Sequence, residues 1–313
     1  MLVTSDPLLW ETLLHRPLAE RRGSAPRELI DFIGRHHAAT GKAAVARAAL
    51  PDAGLERDLD AALAGLPVAV LRHLEPCLLG VFMMEGTGAS ALSGVVAGPE
   101  GELIGAFVAL DAAVFADVTA NSWFEWRENM PFEAAYGLRL EARIADAAHD
   151  DRVAALQFVL LHEFGHVLSA IKALAPMWWR PGTDAPSYPL LELCWQAVPD
   201  GRFVPRAGHD FSLRGELVYY GAPRLSLLDA EAAYAALSRT GFPTLYAATS
   251  VHEDIADSFA GYVHVRLMGR PLEHRLLRDG APAGSASAAA YWRSPHGDAR
   301  AALFEAMLDA PPY

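Results

Sequence analysis

The apolar run from Val153 to Leu174 carries side chains that such a segment does not bury without cause. His162-Glu163-Phe164-Gly165-His166 sits in its middle. Asp150 and Asp151 suit a helix N-terminus, and Ala154, Leu156, Phe158, Val159, Leu160, Leu161 and Val167 make the run that follows largely apolar. Two imidazoles and a carboxylate inside such a buried helix cost free energy unless something pairs with them. Positions four apart share a helix face about 6 Å apart along the axis, so His162 and His166 can direct two rings at one metal ion. Glu163, one residue on, can reach a water bound to that ion, in the pattern of two His ligands and a Glu general base. The competing reading is a surface helix that carries the three by accident.

The whole chain is long enough to bury a helix of this kind. Its 313 residues suffice for one large domain or two small ones, and 52% hydrophobic with 20% charged residues is a globular composition. A net charge of -12 supplies no basic footprint for nucleic acid or for an anionic membrane surface. Cys77 and Cys194 are the only cysteines and lie far apart, which excludes a disulfide scaffold and a Cys-based zinc site. Both read as buried, reduced thiols. Met1 to Arg22 has no basic start followed by an apolar signal core, and Asp6, Pro7, Glu11 and Pro17 interrupt it. No apolar run reads as reaching the roughly 18 residues of a membrane span. The expectation is a soluble, cytoplasmic protein with no nucleic-acid or membrane partner.

Three regions are expected. Residues 1–75 read as an N-terminal helical segment: a helix opened by Ser24, Pro26 and Glu28, then Ala- and Leu-rich continuations over Lys42 to Leu50 and Leu55 to Leu63. Adjacent His36 and His37 point about 100° apart and read as solvated. Residues 76–275 change texture. Leu78 to Met84 is a short apolar run, and Leu92 to Ala97 and Leu103 to Leu110 flank Gly98-Pro99-Glu100-Gly101 as a β-hairpin. Leu138 to Ile144 alternates as a half-exposed edge strand. Asn121 to Trp126 is aromatic-rich, with core packing favoured over a binding wall. Residues 175–240 form an insertion rich in Pro, Gly and Trp, and a long helix follows over Val251 to Met268. Residues 276–313 read as a linker, Gly280 to Ala290, and a short helix, Asp298 to Leu308. A small mixed sheet followed by the metal helix places the fold in the α+β class.

A catalytic zinc takes three protein ligands and keeps a position open. Ser169 and Lys172 stand where a metzincin continues with Gly and His, so that class is excluded. Gly182-Thr183-Asp184 with Tyr188 is one residue short of the aspzincin spacing and reads as a loop. The remaining candidate is Glu253, with Asp257 one turn later on the same face, where it can accept the second ring N–H of a metal-bound His. The alternative is an acidic helix start favoured by the dipole, a role that suits Asp254 better than Glu253 or Asp257.

His162-Glu163-Phe164-Gly165-His166-Val167, Tyr246-Ala247-Ala248-Thr249 and Glu253-Asp254-Ile255-Ala256-Asp257-Ser258-Phe259 together resemble the gluzincin metallopeptidases. The nearest named pattern is the family of the anthrax lethal factor catalytic domain. The resemblance implies a zincin-like fold, one catalytic Zn2+ held by His162, His166 and Glu253, Glu163 as general base and Tyr246 as transition-state stabiliser. Asp257 stands where that family carries a Glu, in the second layer. The resemblance covers only the two motif helices and the residues before the second. It implies hydrolysis of peptide or protein substrates. An edge strand of the sheet, either Leu103 to Leu110 or Leu138 to Ile144, is expected to pair with an extended peptide and align it. The other readings are a zinc hydrolase of a small amide and a non-catalytic binding protein.

Overall fold

The computed structural model describes residues 1–50, 52–177 and 187–312. Gly182-Thr183-Asp184, with Trp178 and Trp179, lies outside the described residues. The chain begins with β1 (Leu2–Val3), α1 (Pro7–Leu14), β2 (Arg22–Ser24), α2 (Arg27–Thr40), β3 (Arg47–Ala48), α3 (Ala53–Ala64) and α4 (Val68–Leu74). Strands β4 (Leu78–Glu85), β5 (Ala91–Ala97) and β6 (Leu103–Asp111) follow, then α5 (Ala120–Asn129), β7 (Phe132–Glu133), β8 (Leu138–Arg143) and α6 (Arg152–Ile171). Next come α7 (Pro189–Glu192), β9 (Trp195–Ala197), β10 (Phe203–Pro205), β11 (Leu225–Ser226), α8 (Ala230–Leu237) and α9 (Val251–Gly261). The chain closes with β12 (Glu273–Arg278), β13 (Ala281–Ser287), α10 (Ala288–Tyr291) and α11 (Pro295–Asp309). Mixed α and β elements around a mixed sheet agree with the α+β class.

The main sheet runs β1-β5-β6-β4-β2, with β3 on the edge of β4. β4 and β6 are parallel, β5 is antiparallel to β6, and the Gly98–Gly101 hairpin forms as expected. One face carries Val81, Val95, Ala106 and Val108 into the principal core, where α6 lies. The other face packs Leu79, Phe82, Val96 and Phe107 against Trp10, Leu29 and Ile33 of α1 and α2. Strands alternate their side chains between faces, so one sheet serves two apolar layers.

Helix α6 starts where Asp151 accepts the Ala154 N–H at 2.8 Å, and is apolar on nearly every side because it is enclosed: α3, α5 and α9 flank it and β5 and β6 cover it. Each fully buried Leu or Phe on it contributes about 1.5–3 kcal/mol. By length and composition it could cross a membrane, contrary to the expectation that no run reaches that size, but 83% of its most apolar stretch is buried inside the protein. Gly165 lets α9 approach: a Cβ there would stand 2.7 Å from the Ala256 Cα. After Gly261, helix α9 continues into a π-helical turn, Tyr262–Leu267, ending at Gly269 with φ 65°.

Several expectations are corrected. The N-terminal segment is not wholly helical, since β1, β2 and β3 join the main sheet. Lys42 to Leu50 is not a helix: Gly41, at φ 70°, caps α2 in the left-handed region and turns the chain toward β3. That turn covers His37, which is buried between the carbonyls of Ala44 and Thr87, at 2.9 and 3.0 Å, and not solvated. Leu103 to Leu110 is central, flanked by β5 and β4, so it is no edge. Leu138–Arg143 is an edge, but of a separate three-stranded sheet with β12 and β13. The linker expected over Gly280 to Ala290 is largely strand β13, and the boundary at 275/276 falls inside β12. Asp279 and Gly280, at φ 51° and 80°, form the turn between them; an Asp-Gly pair is a strong hairpin signal and was the available clue. Cys77 and Cys194 are buried thiols outside any disulfide, as expected.

Candidate metal centre

α6 and α9 supply the site from opposite sides. Ser250 caps α9 by accepting the Glu253 N–H at 3.2 Å, which sets Glu253 in the first turn, directed at α6. Its Oε2 lies 3.1 Å from His162 Nε2 and 3.4 Å from His166 Nε2. The three candidate donor atoms fall within 4.8 Å of one another, and no other group of three or more His, Cys, Asp or Glu does so among the described residues. Two imidazole nitrogens and a carboxylate oxygen are a donor set that holds a first-row divalent ion.

The far nitrogen of His162, Nδ1, faces Asp257 Oδ1 at 3.2 Å. Burial opposes a charge on that ring, yet Asp257 and then Glu253 raise its pKa to about 9. The same encounter acts on the acids: against burial, which would raise it, His166 and then His162 hold Glu253 well below the usual carboxylate range. Asp257 is brought down to about 2, burial again opposing and Arg127 leading the attraction. A pocket so rich in negative charge suits a cation.

Sequence reasoning missed what stands behind Asp257. Arg127 of α5, fully buried, donates from Nη2 to Asp257 at 2.9 Å and from Nε to Glu128 at 3.1 Å. Glu128 in turn meets His274 Nε2 of β12 at 2.8 Å. Thr244 also donates to Asp257. The buried chain therefore runs from His162 through two acids and an arginine into the second sheet. The available signal was Arg127-Glu128 beside Trp123-Phe124, a charged pair in an otherwise apolar helix face. That aromatic run packs as expected for Trp123 and Phe124, while Trp126 is half exposed.

Glu163 is buried and its Oε2 has no hydrogen-bond partner among the described residues. Burial raises its pKa, with His166 and His162 opposing, and Ser93 of β5 hydrogen-bonds its carboxylate. Tyr246 stacks on the His162 ring at 5.4 Å between centroids, with the Arg127 guanidinium 4.9 Å from its own centroid. Burial and then Glu253 push the phenol well above its ordinary pKa, so it remains a donor. Asp254 departs from the expectation of a dipole-serving helix start: it is fully buried and bound by Arg300 of α11 at 2.8 Å.

These groups line one cavity of about 360 Å³ between α6 and β5, with Tyr220 from the 175–240 insertion and Lys42 also on its wall. His162, Glu163, His166, Tyr246 and Glu253 all meet there, and Asp257 stands behind His162. No protein-family model, curated protein or solved structure matches the chain.

Proposed function

We propose that the protein is a zinc-dependent peptidase of the gluzincin type, with a zincin-like fold. The observation that carries this is the convergence of His162, His166 and Glu253 beside Glu163, whose buried carboxylate has an oxygen free. The architecture supports the fold: a strand antiparallel to its neighbour borders the cavity, the His-bearing helix lies beneath it, and a second helix brings the carboxylate.

His162, His166 and Glu253 would hold the zinc ion, and Asp257 fixes the His162 tautomer by accepting its Nδ1–H. When bound, the ion would supply Lewis acidity, lowering the pKa of a water toward 7. Glu163 takes the proton from the attacking water and returns it to the leaving amine; burial and a raised pKa suit a group that must do both. Tyr246 donates its hydroxyl hydrogen to the carbonyl oxygen as charge develops there, a donor whose loss costs roughly 10²–10³ in rate. Peptide alignment falls to β5, whose outer edge borders the cavity, and not to either strand expected for it.

Two variants test the reading. Glu163→Gln is expected to retain one zinc per chain and to lose hydrolysis of a peptide library. Glu253→Ala is expected to lose zinc. Full activity in the first sinks the mechanism, and unchanged zinc in the second sinks the ligand set.

A further inference from the structure

The outer edge of β5 is a short ledge, closed at one end and capped at the other. β1 pairs with β5 only at Val96 and Ala97, which ends the free edge beyond Val95. At the opposite end Tyr220, from the insertion, reaches Ser90: their hydroxyl oxygens stand 3.3 Å apart, and Trp123 Nε1 donates to the same Ser90 Oγ at 2.9 Å. Tyr220 is held in the left-handed region at φ 56°, its N–H on Met130 Sδ at 3.4 Å. A non-glycine residue kept at positive φ signals that its surroundings fix it. The insertion is thus pinned across the start of β5. A long extended chain has no straight path past either end.

Beside the capped end stands a cation. Gly41 turns the chain out of α2, with the Lys42 N–H on the His37 carbonyl at 3.0 Å, and the Lys42 stem lies alongside Gly88, 3.5 Å from where a Cβ would be. Lys42 lines the cavity. Among the described residues no carboxylate is within ion-pair distance of it. A peptide pairing antiparallel to β5 brings its C-terminal end to this corner; pairing parallel would bring an ammonium against a lysine. The charge therefore selects the antiparallel direction.

Resting on the peptidase reading, we propose that the substrates are short peptides whose C-terminal carboxylate is anchored by Lys42, so that cleavage releases a di- or tripeptide. The product length follows from the strand. Ser93 meets Glu163, where the bond is cut, and Ser90 marks the cap, about 10 Å away at about 3.3 Å per residue.

The test uses one hexapeptide sequence in three forms: free acid, C-terminal amide, and amide with Glu as the last residue. Binding to zinc-loaded Glu163→Gln is measured by calorimetry, and turnover by the wild type with mass analysis of the products. The free acid is expected to bind and to turn over at least tenfold better than either amide, with a C-terminal di- or tripeptide released. Lys42→Gln is expected to erase the difference through KM with kcat kept, and Lys42→Arg to preserve it. Equal handling of acid and amide overturns the proposal, as does a preference that survives Lys42→Gln. An amide rescued fully by the terminal Glu also overturns it, by showing that a side chain is what the corner reads. A wild type that hydrolyses nothing, yet binds acid over amide through Lys42, sinks the peptidase reading and leaves the anchor standing.

Discussion

Arg127 joins two buried acids, and its loss would strip both of their arginine counter-charge, leaving Asp257 to His162 and Thr244 and Glu128 to His274. Burial works against its charge, but Asp257 and then Glu128 more than offset that and push its pKa up. Arg127→Met should cost about 3–5 kcal/mol, the range for breaking one side of a buried ion pair, read as a lower urea midpoint at pH 7. Asp257→Ala should act more locally, with zinc affinity falling about 10- to 100-fold because His162 loses the partner that orients it; competition with a chromophoric chelator measures this. His264 provides a pH signature away from the metal ligands. It is buried with Nε2 between the carbonyls of Ile144 and Pro271, and burial lowers its pKa to about 4. Above the ordinary value near 6.5 it is neutral folded or unfolded, and no pH dependence arises. Between about 6.5 and 4 the unfolded chain binds the proton and the folded one does not, so stability falls with pH by on the order of 3 kcal/mol in all. His264→Gln should flatten that slope between pH 7 and 5 in denaturant titrations, and an unchanged slope would contradict the assignment.

At the scale of elements, the approach of α6 to α9 decides whether the ligands meet. Gly165 faces Ala256 backbone atoms at 2.7 and 3.0 Å from an added Cβ, and backbone cannot step aside as a side-chain tip can. Gly165→Ala should force the helices apart at a cost of about 1–3 kcal/mol and weaken zinc binding with every ligand still present. A thermal melt and a zinc titration on the same sample check both. The helices themselves were legible in the chain: α6 from its apolar density and the Asp150-Asp151 start, α9 from the run over Val251 to Met268 that Gly269 stops. Strands β4, β5, β6 and β8 were legible singly but not in their order, while β1, β2, β3 and the β12–β13 hairpin were not read from the chain. That Leu103–Asp111 is central depends on its pairing with β4, about 27 residues back, and that β1 ends the free edge of β5 depends on segments some ninety residues apart, neither of which a local pattern records.

For the whole molecule, a metal at the proposed site would couple to stability, because the candidate ligands come from two helices that only the fold brings together. A ligand present at 100 times its Kd stabilises by about 2.7 kcal/mol. Zinc addition should raise the wild-type melting temperature and leave that of Glu253→Ala unmoved; equal shifts would place the ion elsewhere. The C-terminal residues belong to this same body. Arg300 of α11 is fully buried on Asp254, one residue past the candidate ligand Glu253, and the β12–β13 hairpin extends the sheet begun by β8.

Local chemistry determined what could be read from the chain alone. The four-residue spacing of His162 and His166 with the Glu between them belongs to one helix and the Glu253–Asp257 turn to another, and each survives in the one-dimensional record. Tertiary structure decided the rest. It made Arg127 the counter-charge of Asp257, covered His37, paired Asp254 with Arg300, made β5 the ledge and set Lys42 at its end. Each of these depends on which surfaces exclude water together, and burial is a property of the packed molecule that residue order does not display.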